Sequence, residues 1–252
     1  MRIREHIPSS LPLKEMEGSL LACVLLQGAG AAGHDLELIG DAIAVASYLH
    51  RADTRAQRAG MTRVPYIEHP LRNSVRLQRY GCDIQAVIVA TILHDTVEDH
   101  AFDIARDLVG LEPDSEESAR GIALGYIAAK FGAEVMDLVK GVSNPITAGG
   151  LSTVEKNMLY RAHVVQAIAS PTVFLVKITD FEDNAGGLHH NLEPNTVGMV
   201  RRLAAKYLPL IPALKGRVLD DDIALIIGQH SAQTMHSRLI VTGHRLELLA
   251  LV

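Results

Sequence analysis

"IQAVIVATILHDTVED", Ile84 to Asp99, is the stretch that decides the fold. It is apolar almost throughout as far as Leu93. It then turns within a few residues to His94, Asp95, Glu98 and Asp99. A helix that is apolar all round belongs in the middle of a bundle. Driving it into a histidine and three carboxylates is costly unless an opposite charge compensates them. On a helix His94 and Glu98, four apart, share a face, as do Asp95 and Asp99. A metal ion is the compensating charge that this residue set suits, because histidine and carboxylate together favour Mn²⁺, Fe²⁺ or Zn²⁺.

Working outward, helical periodicity dominates. "LELIGDAIAVASYLH" (Leu36–His50) carries Ile39, Ala42, Ile43, Ala46 and Leu49 on one face. An arginine-rich connection leads to a helix over "HPLRNSVRLQRY" (His69–Tyr80), ended by Gly81, with Asp83 as the expected N-cap of the central helix. The acidic "GLEPDSEESAR" reads as an exposed loop. "IALGYIAAKFGAEVMDLVKGVS" reads as one or two helices broken near Gly132. Ser152 and Glu155 form a capping-box pattern. "VFLVKITD" (Val173–Asp180) has the β-branched content of a strand, but Ser170-Pro171 before it is a helix start, so a helix is expected. Two or three amphipathic helices close the chain. "LLACVLLQGAGAAG" (Leu20–Gly33) is too short to span a bilayer and reads as a buried N-terminal helix. The expectation is an all-α bundle, one domain over residues 1–252 with its core at about 36–210.

Composition narrows the function. The 252 residues are 48% apolar and 21% charged, as in an ordinary soluble protein. A formal charge of −5 argues against a nucleic-acid partner, which needs a basic surface, and leaves room for a local basic pocket. Cys23 and Cys82 make no disulfide framework and are expected reduced and buried in a cytoplasmic protein. No membrane partner is expected, and a homo-oligomer is left open. Partners for His94 and Asp95 are sought where another apolar helix ends on a polar residue: His50, and Asp180 with Asn184 one turn on. His69 reads as a packing histidine near the site, and His189 and His190 as surface residues.

"YIEHP" (Tyr66–Pro70), "ATILHDTVED" (Ala90–Asp99), "LVKGVS" (Leu138–Ser143) and "LVKITDFEDN" (Leu175–Asn184) occur in that order. The ordered set resembles the HD-domain hydrolases of the RelA/SpoT type, including the stand-alone small alarmone hydrolases, over about residues 38 to 210. The resemblance implies a metal, usually Mn²⁺, held by two histidines and two aspartates, here matched to His50, His94, Asp95 and Asp180. It implies that Glu98 and Asp99 orient and activate the attacking water, and that Asn184 contacts the nucleotide sugar. Arg55, Arg58, Arg63, Lys140, Lys156 and Arg161 are the available bases for a polyphosphate, and Tyr66 stands with the substrate-facing residues. The implied reaction removes the 3′-pyrophosphate of a guanosine tetra- or pentaphosphate alarmone. Two departures point to alternatives: another nucleotide (an adenosine alarmone, NADPH) or a nucleotide sensor without turnover. One is the long link "RADTRAQRAGMTRV" after His50. The other is "DFEDNAGG" from Asp180, whose Glu182 and Asp183 are expected to make the site's rim more negative.

Overall fold

The computed structural model describes residues 11–56, 60, 62–147 and 149–252. The first α-helices of the described residues are α1 (Gly18–Ala31) and α2 (Leu36–Leu49). A short ladder of β1 (Thr54–Arg55) and β2 (Val64–Pro65) follows. Next come α3 (Glu68–Arg79), α4 (Gln85–Leu93), α5 (Thr96–Asp103), α6 (Glu116–Phe131) and α7 (Ala133–Val142). Then follow α8 (Thr153–Ala167) and α9 (Pro171–Asn184). The chain closes with α10 (Val197–Tyr207), α11 (Ile211–Arg217), α12 (Asp221–Ile227) and α13 (Gln229–Leu251). The all-α expectation holds. The one addition is the ladder, antiparallel with Thr54 opposite Pro65, inside the connection read as a plain loop.

The hub is α4. Val87 to Leu93 are buried without interruption, and α4 packs on α2, α3, α7 and α9. Burying each large apolar side chain is worth about 1.5–3 kcal/mol, so a helix with seven consecutive buried positions, five of them Val, Ile or Leu, is stable only when neighbours surround it. Outside this hub α1 lies on α3, close enough that a Cβ at Gly28 would come within 2.5 Å of Gln78 Oε1. At the far end α13 packs against α10, α11 and α12.

Local signals account for most boundaries. Ser170 accepts from Val173 N with Pro171 in the first turn, and the β-branched run after it is α9, a helix as expected. The Ser152–Glu155 capping box is formed. Gly132, at φ +95°, separates α6 from α7. Three readings need correction. Asp83 does not cap α4: Ile84 is the N-cap residue, with no side-chain bond, and the Asp83 carboxylate lies 2.9 Å from His34 Nε2 instead. The acidic stretch is only partly loop, because Ser115 caps α6 and places Glu116 and Glu117 in its first turn, where the helix dipole favours them. Cys23 is exposed on α1, while Cys82 is buried.

Candidate metal centre and its cleft

The end of α4 and the start of α5 meet at His94 and Asp95. His94 is buried, and its Nδ1 donates to Thr91 O at 2.8 Å. That bond leaves the lone pair of a neutral ring on Nε2. Nε2 is buried and makes no hydrogen bond, although Asp95 Oδ2 lies 3.0 Å away and Asp180 Oδ1 3.6 Å away. A fourth group arrives from α3. His69 Nε2 is 3.1 Å from Asp180 Oδ1 and 3.7 Å from Asp95 Oδ2. The donor atoms of His69, His94 and Asp95 lie within 4.8 Å of one another.

The tautomer of His69 is set by α9. Its Nδ1 donates to Asp183 Oδ2 at 2.8 Å, and Asp183 is itself held by Arg72 Nε at 3.1 Å and Arg76 Nη2 at 3.1 Å. Arg76 also donates to Asn73 Oδ1 at 2.7 Å, which turns the Asn73 amide nitrogen toward His69 Nε2. A donor facing Nε2 again marks it as the lone-pair nitrogen. Two imidazole lone pairs and two carboxylates therefore converge, with a carboxylate–histidine support of the kind that orients metal ligands. His69, His94, Asp95 and Asp180 fit a divalent ion.

Electrostatics agree. Burial raises the cost of charge at each of these groups, yet the carboxylates outweigh it and hold the His94 imidazolium well above its usual range. Against the same burial, His94 and His69 hold Asp95 and Asp180 below the carboxylate range. The site is built to keep positive charge beside two carboxylates.

The sequence reading put His50 in this ligand set, and the structure places it elsewhere. His50 is the C-cap residue of α2. Its Nδ1 faces Asp53 Oδ2 at 2.9 Å and His100 Nε2 at 3.0 Å. Burial is the largest influence on its pKa and lowers it. The ring stacks on Tyr66, centroids 4.4 Å apart. His69, read as a packing residue, occupies the position beside His94. The motif "YIEHP" held the signal, since Tyr66, three residues before His69, donates its hydroxyl to Asp95 Oδ2 at 2.6 Å.

The remaining predicted residues divide by place. Asn184 Nδ2 donates to Asp180 Oδ1 at 2.6 Å, and Arg55 Nη2 donates to Asn184 Oδ1 at 2.6 Å, so both stand at the centre's edge. Glu98 accepts from the Asn144 backbone and side chain at 2.9 Å. It lines a cleft of about 300 Å³ together with Arg120, Asn144, Lys156, Tyr160 and Lys206. Asp99 reaches solvent, and desolvation of its carboxyl with the charges of Asp95 and Glu98 pushes it up to about 6. Lys140 and Arg161 are exposed and do not line that cleft. Arg63 is spent on Thr54 Oγ1 at 2.8 Å, clasping the ladder. Arg58 lies outside the described residues.

Glu182 and Asp183 are not on the rim. Asp183 is buried, and Glu182 accepts from Tyr80 at 2.8 Å and faces Arg76 Nε at 3.4 Å. Their charge is neutralised inside the protein and does not oppose an anionic substrate. Asn144, Tyr160 and Lys206 had no sequence signal beyond the Asn-Pro that follows "LVKGVS". A roomier cavity of about 740 Å³ lies near Lys14, Arg238 and Arg245. None of the residues that line it belongs to a convergent metal-donor set among the described residues.

No protein-family model matches the chain. In sequence it is 27% identical over 164 residues to a guanosine-3′,5′-bis(diphosphate) 3′-pyrophosphohydrolase of Aquifex aeolicus, covering 65% of this chain and 20% of that protein. It is 32% identical over 146 residues to a probable GTP pyrophosphokinase of Mycobacterium leprae, covering 58% of this chain and 15% of that one. The chain thus matches about a fifth or less of the length of these curated relatives. In structure it is similar to a metazoan ortholog of SpoT described as hydrolysing ppGpp. The TM-score is 0.53 and the identity 19%, with 82% of this chain and 94% of that one covered. No helix among the described residues is long and apolar enough to cross a membrane. In sequence the chain is similar to part of these pyrophosphohydrolase and pyrophosphokinase proteins, and its helical bundle shares the fold of the SpoT ortholog, as expected of an HD-type bundle.

Proposed function

We propose that the chain is a metal-dependent 3′-pyrophosphohydrolase of guanosine tetra- and pentaphosphate, releasing pyrophosphate and GDP or GTP. The observation that carries this reading is the inward convergence of His69 Nε2, His94 Nε2, Asp95 and Asp180, with each imidazole Nδ1 already engaged. These four residues would hold the ion, for which Mn²⁺ is the expectation. Such an ion lowers the pKa of bound water and polarises a phosphoryl oxygen.

The chain's own side chains divide the remaining work. Asp99, with a carboxyl near 6 and one turn beyond Asp95, takes the proton from the attacking water. Glu98, fixed by two donors from Asn144, orients that water and borders the substrate cleft. Arg55 and Asn184 meet the sugar and its 3′-phosphates, and Lys156 and Lys206 neutralise charge along the cleft, the main demand of phosphoryl transfer. The ribose 3′-oxygen leaves and is protonated as the water oxygen joins phosphorus.

Product analysis by anion exchange tests the reading. Metal-loaded protein is offered guanosine tetraphosphate, its adenosine analogue and NADPH, each with and without chelator. Chelator-sensitive release of GDP and pyrophosphate supports the assignment. Turnover of another nucleotide alone moves the specificity. No turnover of any, with metal bound, leaves a nucleotide-sensing module.

A further inference from the structure

His50, displaced from the ligand set expected of it, sits in a second cluster. Three donor atoms form a near-equilateral triangle. His50 Nδ1 is 2.9 Å from Asp53 Oδ2, His100 Nε2 is 2.8 Å from the same oxygen, and the two nitrogens are 3.0 Å apart. We propose that His50, Asp53 and His100 form a second cation site that takes a divalent transition-metal ion on two imidazole nitrogens and one carboxylate oxygen.

Proton counting excludes a comfortable ion-free arrangement. His100 Nδ1 faces Asp103 Oδ2 at 2.9 Å, so in a neutral ring the hydrogen is there and Nε2 carries the lone pair. A hydrogen on His50 Nδ1 satisfies the edge to Asp53 and leaves the His100 lone pair against the same carboxylate. A hydrogen on His100 Nε2 alone leaves His50 Nδ1 against Asp53. Hydrogens on both nitrogens point two N–H groups at each other. With Asp53 ionised, every protonation state of the two rings leaves one edge of the triangle repulsive, whereas one cation capping the triangle satisfies all three. The spacing suits this: bonds of about 2.1 Å at right angles put neighbouring ligand atoms about 3 Å apart. Two histidines and one carboxylate on one face match the donor set of Fe²⁺, Co²⁺ and Zn²⁺ better than that of Mg²⁺ or Ca²⁺.

The surroundings are those of an ion site. His50 is buried, His100 is mostly covered, and the Asp53 side chain is 40% exposed, so water can complete the coordination from that side. Asp103 supports His100 as a carboxylate supports a metal-bound imidazole. His100 breaks the helical conformation of α5, at φ −131° and ψ 25°, and a π-helical turn follows; such turns are frequent at functional sites. The ion would tie the end of α2, the turn before β1 and the kink of α5 together. Through His50 it would hold the Tyr66 ring, whose hydroxyl bonds Asp95. It would be a positioning ion beside the first centre.

The test is metal stoichiometry with Zn²⁺ as probe. Chelator-stripped chain is equilibrated with Zn²⁺, desalted and measured by inductively coupled plasma mass spectrometry. The variants are His100→Gln, Asp53→Asn and Asp180→Asn, with circular dichroism to establish folding; Asp53→Asn, in an exposed turn, guards against a misfolded His100→Gln. Wild type should hold two equivalents, His100→Gln and Asp53→Asn one each, and Asp180→Asn should keep the ion that the other two lose. Two equivalents retained in both His100→Gln and Asp53→Asn overturn the proposal. So does a single equivalent in wild type that both variants keep. A single equivalent lost in His100→Gln and kept in Asp180→Asn supports it, and counts against the first centre instead.

Discussion

His69 and Asp183 face each other across the interface of α3 and α9, the ring Nδ1 donating to the carboxylate at 2.8 Å. This one bond turns His69 Nε2 toward Asp95 and Asp180, and it makes the buried Arg72–Arg76–Asp183 network part of the support of the candidate metal centre.

His69→Ala should remove a ligand and leave Asp95 and Asp180 with one imidazole between them. Loss of chelator-sensitive turnover together with an ion lost from the centre is the expected result, read by mass-spectrometric metal content and product analysis. Full metal occupancy in a folded His69→Ala chain would show that the ligand set is wrong.

Asp183→Asn should destabilise the fold by about 3–5 kcal/mol, the cost of breaking a buried ion pair by removing one partner, because Arg72 and Arg76 lose their shared counter-charge. Weaker orientation of His69 should also reduce metal affinity about 10–100-fold. Urea unfolding and metal titration measure the two effects separately. A midpoint equal to wild type would place the network outside the stabilising core.

Glu98→Gln should keep the metal and lower kcat by about 10²-fold, the cost of misplacing a reacting group. Gln can still accept from Asn144, so the cleft keeps its shape. Metal content and single-turnover rates on the same sample test it, and unchanged turnover would free Glu98 from the chemistry.

The pH profile should follow Asp99. Its carboxyl is pushed up to about 6 by desolvation and by the charges of Asp95 and Glu98. Only the deprotonated form accepts a proton, so kcat/KM should fall as pH drops through this value and level off above it. An ion between Asp95 and Asp180 offsets part of their charge, which puts the acid limb at or below about 6. Asp99→Asn should abolish that limb along with most of the rate. A wild-type profile flat from pH 5 to 8 would assign proton transfer elsewhere.

Arg55→Ala should raise KM for a 3′-pyrophosphorylated nucleotide more than it lowers kcat. A hydrogen bond to a charged group contributes about 1.5–3 kcal/mol, which corresponds to roughly a 10- to 100-fold change. Steady-state kinetics separate the two constants; equal losses in kcat and kcat/KM would move Arg55 from binding to the transition state.

By itself the sequence determined the bundle and half of its centre. A run as apolar as Ile84–Leu93 has one stable place, surrounded by other helices, and the groups at its end, His94 and Asp95, must share that buried setting. Ser170-Pro171 settled a helix where β-branched residues suggested a strand, because the cap fixes the start of the element that carries Asp180. Tertiary structure decided the rest. His50 and His69 each stand beside an apolar helix, and periodicity does not say which ring turns toward Asp95. The packing of α9 on α3 does, by setting Asp183 against His69 Nδ1 and leaving His50 to Asp53 and His100. The same packing drew Glu182 and Asp183 inward onto arginines, cancelling their expected effect on the site's rim. A linear sequence encodes the charges, but their effect depends on partners more than a hundred residues away, and only the folded chain brings those together.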